Sequence, residues 1–170
     1  MITIFHPAIV HFAIALLLVG PAMDTAGLLL RREALLLTGK WNTVIGAAML
    51  VLAELSGLSA TSSLSTHSAA GQALLNLHTA LGHLCLLLWI PIAVWRAVSQ
   101  QLIPKRARTI YLTLGYTGAA LMLSQAALGA ALVYRHGVGL SAAARQEPML
   151  HESPPPEVVD HAHLPKPKVP

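Results

Sequence analysis

The chain has 170 residues, of which 55% are hydrophobic and 11% charged, with a formal charge of +4. A soluble domain carries about 25% charged residues, so water is the wrong solvent for this one. No basic groove interleaved with aromatic residues is present, and nucleic acid is excluded as a partner.

The N-terminus, MITIFHP, has no basic region, and no A-x-A cleavage pattern follows the first apolar run. The first helix therefore reads as retained and not as a signal peptide. Apolar runs at 8–30, 41–58, 73–95 and 110–134 are long enough to cross ~30 Å of hydrocarbon as helices, the second being near the lower limit. The fold class expected is all-α: an integral membrane four-helix bundle spanning residues 1–140. The predicted loops carry unequal charge. Arg31, Arg32 and Lys40 fall between helices 1 and 2, and Arg96, Lys105, Arg106 and Arg108 between helices 3 and 4. The loop 59–72 has neither Lys nor Arg. The positive-inside rule then places both basic loops in the cytoplasm and both termini outside. Trp41, Trp95 and Tyr111 are expected in the inner aromatic belt and Tyr134 in the outer one. Cys85, the single cysteine, reads as an apolar space-filler within helix 3.

Residues 141–170 are a different material. Seven of the eleven prolines lie between Gln146 and Pro170. Such a segment buries too little apolar surface to offset its ordering entropy, and an extramembrane tail is expected. It could dock the chain on a larger membrane redox complex or a periplasmic electron carrier. Asp160, His161 and His163 within it could meet a metal ion, but a solvated tail is the plainer reading.

A shift of 72 residues superposes the rarer residues: His6 on His78, His11 on His83, Gly46 on Gly118 and Gly57 on Gly129. The pattern reads as two tandem helical hairpins, 1–2 and 3–4, related by a parallel pseudo-two-fold repeat about the membrane normal. Glycine and alanine at 46–48 and 118–120 suit close helix contact in lipid.

The histidines gather toward one side of the membrane, and intramembrane polar groups tend to mark function. Pro7 reads as a first-turn residue, which makes His6 a boundary residue. His11 lies about 7.5 Å deeper and about 140° around the helix from it. His11 and His83 are expected to be the inner, metal-binding pair, with His6 and His78 as their nearest competitors. Glu54, at a similar depth, is expected to hold the second nitrogen of a ligand histidine. Two histidines at one depth on related helices can supply both axial ligands of a b-type haem. Arg135 and His136 would then meet its propionates. Copper or zinc is an alternative occupant, and a proton path or purely structural histidines are others. No Ser-His-Asp arrangement, phosphate loop or carboxylate pair indicates a stand-alone enzyme.

The runs HPAIVHFAIALL at residues 6–17 and GAALVYRHGVGL at 129–140 resemble the two ends of a bacterial membrane family known as domain of unknown function 2231. The resemblance covers about residues 4–140. His6, Pro7, His11, Tyr134, Arg135, His136 and Gly137 match its motifs. Ala13 stands where the pattern has proline, and Ala130–Ala131 where it has Gly-Glu. Relatives fused to Rieske or c-type cytochrome domains imply work near electron transfer. The function this points to is a membrane b-haem electron-transfer protein acting at the outer face. A structural accessory subunit with no cofactor of its own is the alternative.

Overall fold

In a computed structural model the described residues are 2–61, 68–99 and 105–138. They form four helices: α1 (Ile2–Leu30), α2 (Glu33–Thr61), α3 (Ala69–Val98) and α4 (Lys105–His136). Each is long and apolar enough to cross a membrane, and no strand is present among the described residues. The chain divides at Gly139/Leu140. The Pro-rich segment, including His151, His161 and His163, lies outside the described residues.

The helices pack in a ring, with α1 against α2, α2 against α3, α3 against α4 and α4 against α1. The α1–α2 contact is the most extensive. Its closeness follows from glycine. A Cβ added at Gly46 would lie 2.9 Å from the Leu17 side chain. A Cβ at Gly118 would lie 2.8 Å from the Trp89 ring. Small residues at such contacts let backbones approach where no hydrophobic effect drives helix association. Leu17, Leu50, Cys85, Trp89, Ile92 and Met122 fill the centre. Cys85 is a free, buried thiol, as expected for a space-filler.

Three sequence expectations need correction. The helices extend beyond the apolar runs, because a helix continues through the polar interface once its backbone is committed to hydrogen bonding. The α1–α2 connection is therefore only Arg31 and Arg32, and Lys40 and Trp41 lie within α2. Pro7 is five residues past Ile2, inside α1 and not in its first turn, so His6 is a helical residue. Tyr111 is 2% exposed. It is a core residue, packed edge-on against Trp95 with centroids 5.9 Å apart, and has no place in an aromatic belt. Trp41 and Tyr134 are exposed, at 53% and 87%.

Candidate functional site

The ring brings polar groups together at two levels. At one end lie the start of α1, the end of α2, the start of α3 and the end of α4. Here His6 Nδ1 is 2.7 Å from Ser56 Oγ, and Ser56 itself donates to Ala53 O at 2.8 Å. The hydroxyl proton is thus engaged, so His6 must donate from Nδ1. His78 Nδ1 is 3.2 Å from Gln125 O, an acceptor only, so it too donates from Nδ1. Both imidazoles are held in the tautomer that leaves an Nε2 lone pair. Neither Nε2 has a hydrogen-bond partner among the described residues.

The two sites match in packing as well. A Cβ at Gly57 would lie 3.2 Å from His6 Cε1, and one at Gly129 would lie 3.1 Å from His78 Cε1. Each imidazole rests edge-on against a glycine of its own hairpin partner. His6 and His78 sit on α1 and α3, across the ring from each other.

The structure places the other histidines differently from expectation. His11 is exposed and turns back to its own helix, with Nδ1 2.5 Å from Pro7 O. The reason is angular: five residues of helix carry it away from His6, and His6 takes the inward position. His83 is 52% exposed, and its Nε2 is 2.9 Å from Glu54 Oε1. The partly buried pair is therefore His6 and His78, not His11 and His83. Glu54 does find a histidine, holding Nε2 of His83. The Glu54 and Gln125 side chains converge on Gly82, where an added Cβ would lie 2.9 Å from Glu54 Oε2 and 2.7 Å from Gln125 Nε2. Arg135 is exposed. His136 packs beside Gly71, 3.6 Å from where its Cβ would be.

At the opposite end is a buried ionic cluster that the sequence reading missed. Asp24 on α1 is 0% exposed and Arg96 on α3 is 1% exposed. Arg96 Nη2 donates to Asp24 Oδ1 at 2.8 Å and Nε to Oδ2 at 3.3 Å. Nη2 also donates to Leu36 O at 2.6 Å, and Tyr111 from α4 donates to Asp24 Oδ2 at 2.6 Å. One carboxylate thus ties α1 to α3 and α4, while Arg96 reaches α2. Gly39 makes room, since a Cβ there would lie 2.5 Å from Asp24 Oδ1. The signal was available. A charged residue within an apolar span needs a partner, and Asp24 and Arg96 are themselves 72 residues apart.

The sequence also matches a protein-family model, described as "Predicted membrane protein (DUF2231)", over residues 3–142. The chain belongs to that family. No curated protein and no solved structure matches it. DUF2231 members are described as membrane proteins, in keeping with the four apolar helices.

Proposed function

We propose that this DUF2231 protein is a b-type haem-binding electron-transfer protein, with His6 and His78 as axial ligands. One observation carries the reading: two imidazoles on helices facing across the ring, each fixed through Nδ1 so that Nε2 keeps its lone pair. Ligand histidines usually donate their other nitrogen to a carbonyl or similar acceptor, which sets tautomer and orientation. Two lone pairs suit the two axial positions of a haem. Structural zinc takes four donors, and the described residues contain no group of three or more metal-binding side chains. Glycines at 57 and 129 leave the imidazoles space to seat without a side chain in the way. Arg135 and His136, at the same end of α4, are the groups available to propionates. In this reading the histidine end faces the outside of a bacterial cytoplasmic membrane, where a soluble redox partner can reach it.

The test is an absorption spectrum of the protein purified after expression with ample haem. A Soret band is expected, abolished or shifted by His6→Ala and by His78→Ala, and unchanged in His11→Ala and His151→Ala. If the wild type shows no Soret band and no bound copper or zinc, the cofactor reading fails. The accessory-subunit reading then takes its place.

A further inference from the structure

We propose that the outer face of α4 binds an anionic phospholipid, its phosphate on Arg108 and an acyl chain along the groove that follows. The groove has a volume of about 640 Å³ and runs from Arg108 past Thr109, Thr113, Tyr116 and Thr117 to Ala120. Three features converge on it.

First, Arg108 has donor capacity without an acceptor. Its Nε is buried and makes no hydrogen bond among the described residues. Arg108 lies one turn from Tyr111, which reaches Asp24, but that carboxylate is already taken. It accepts from Arg96 Nε, Arg96 Nη2 and Tyr111. The other ion pair in the described residues, Glu54 with His83, belongs to the opposite end of the bundle. Arg96 Nη1 is likewise buried without an acceptor. Asp24 is thus saturated while two buried guanidinium nitrogens, Arg96 Nη1 and Arg108 Nε, remain without an acceptor, and a buried donor left unmet costs several kcal/mol in hydrocarbon. The missing acceptor is anionic and comes from outside the chain.

Second, the groove is hollow where a lipid-facing helix need not be. The residues 72 positions earlier on α2 are Leu37, Trp41, Ile45 and Leu52, exposed at 44%, 53%, 48% and 50%. Their counterparts on α4 are Thr109, Thr113 and Thr117, which line the groove, and Ser124 beyond it, all exposed. Bulky apolar residues fill the lipid-facing surface on one helix, and short ones leave a channel on the other.

Third, the hydroxyls are idle. Thr25, Thr38 and Ser124 return theirs to the carbonyl four residues back. Thr109, Thr113 and Thr117 make no hydrogen bond among the described residues, although each could do the same. They are free to donate to ester or phosphate oxygens.

A transmembrane helix could also lie against short side chains. A second copy packed α4 to α4, however, would set Arg108 against Arg108 with neither acceptor supplied. A phosphate supplies both charge and oxygens, in the bidentate geometry that guanidinium favours.

The test uses the full chain in detergent. Phosphatidylglycerol, phosphatidylcholine of the same acyl chains and inorganic phosphate are each titrated against thermal melting and native mass. Phosphatidylglycerol is expected to raise the melting temperature and remain bound in the mass spectrum, while the other two do neither. Arg108→Gln should weaken phosphatidylglycerol binding at least about tenfold, the loss of one charge-assisted contact. Ala120→Leu, which fills the exposed groove without touching a charge, should also weaken it. Arg31→Gln, a control at the same end of the bundle, should not. Equal effects of both lipids, an equal effect of phosphate alone, an unchanged Arg108→Gln response or a dimer disrupted by Ala120→Leu would each overturn the proposal.

Discussion

Asp24 and Arg96 are each costly to change alone. Each is a charge removed from water, and its desolvation is offset only by the other and by Tyr111 and Leu36 O. Removing one partner of a buried pair leaves an uncompensated charge, with typical losses of about 3–5 kcal/mol. Removing both can be close to neutral when the replacements pack as well. Asp24→Leu and Arg96→Met should therefore each lower the detergent melting temperature sharply, and the double variant should recover most of the loss. If the double variant melts at the sum of the single losses, the pair does not hold the bundle together in this way. A second residue-scale prediction concerns Gly39, whose Cβ would fall 2.5 Å from Asp24 Oδ1 and 2.9 Å from Gly20 O. The backbone oxygen cannot swing aside as a flexible side chain would. Gly39→Ala should destabilise the chain by about 1–3 kcal/mol, in the range for overpacking. Gly57→Ala, against the His6 ring edge at 3.2 Å, should cost less.

At the scale of elements, the α1–α2 hairpin stores a small local strain. Arg31 has φ 54°, a left-handed conformation that costs a residue with a Cβ about 1–2 kcal/mol. The turn still forms because Arg32 N reaches back to Gly27 O at 3.0 Å, closing the end of α1. Arg31→Gly should raise stability by about 0.5–1 kcal/mol, less than the relief of strain because glycine adds freedom to the unfolded chain. A melting temperature that falls would mean that the arginine side chain contributes more than its backbone costs. How much of each element could be read beforehand follows from what a hydropathy pattern registers. The four helices were legible because an apolar run of spanning length has few other uses. Their ends were not, since Glu33, Thr38 and Lys40 are polar yet helical, and hydropathy is blind to backbone hydrogen bonding. The histidine site was half legible. The positions were evident, but which of His6 and His11 turns inward depended on α1 starting at Ile2 and on Gly57 opposite. Arg96 was hidden by its place at the end of a span, where a cation reads as a loop signal.

At the scale of the whole molecule, contacts recur with the 72-residue shift. His6 meets Gly57 as His78 meets Gly129, and Leu17 meets Gly46 as Trp89 meets Gly118. A two-hairpin repeat, as expected from the sequence, would account for this recurrence. In a repeat with a two-fold axis, a residue near that axis faces its own counterpart. Asp24 and Arg96 stand at that 72-residue spacing, and they bond each other. Had both halves kept Asp, two carboxylates would meet in a low-dielectric core, and two arginines would fare no better. The opposite charges thus specify which half pairs with which, a repulsive element against self-pairing as well as an attraction. Cutting the chain within residues 62–67 and co-expressing the halves should yield a complex that purifies together. It would be held by Asp24–Arg96, Tyr111–Asp24 and Glu54–His83. Asp24→Asn in the first half should weaken that complex. The first half alone, obliged to set Asp24 against Asp24, should stay monomeric in mild detergent. A first half that self-associates as firmly as it binds the second would remove the charge-pairing argument, and with it the view of this bundle as two halves that can only join each other.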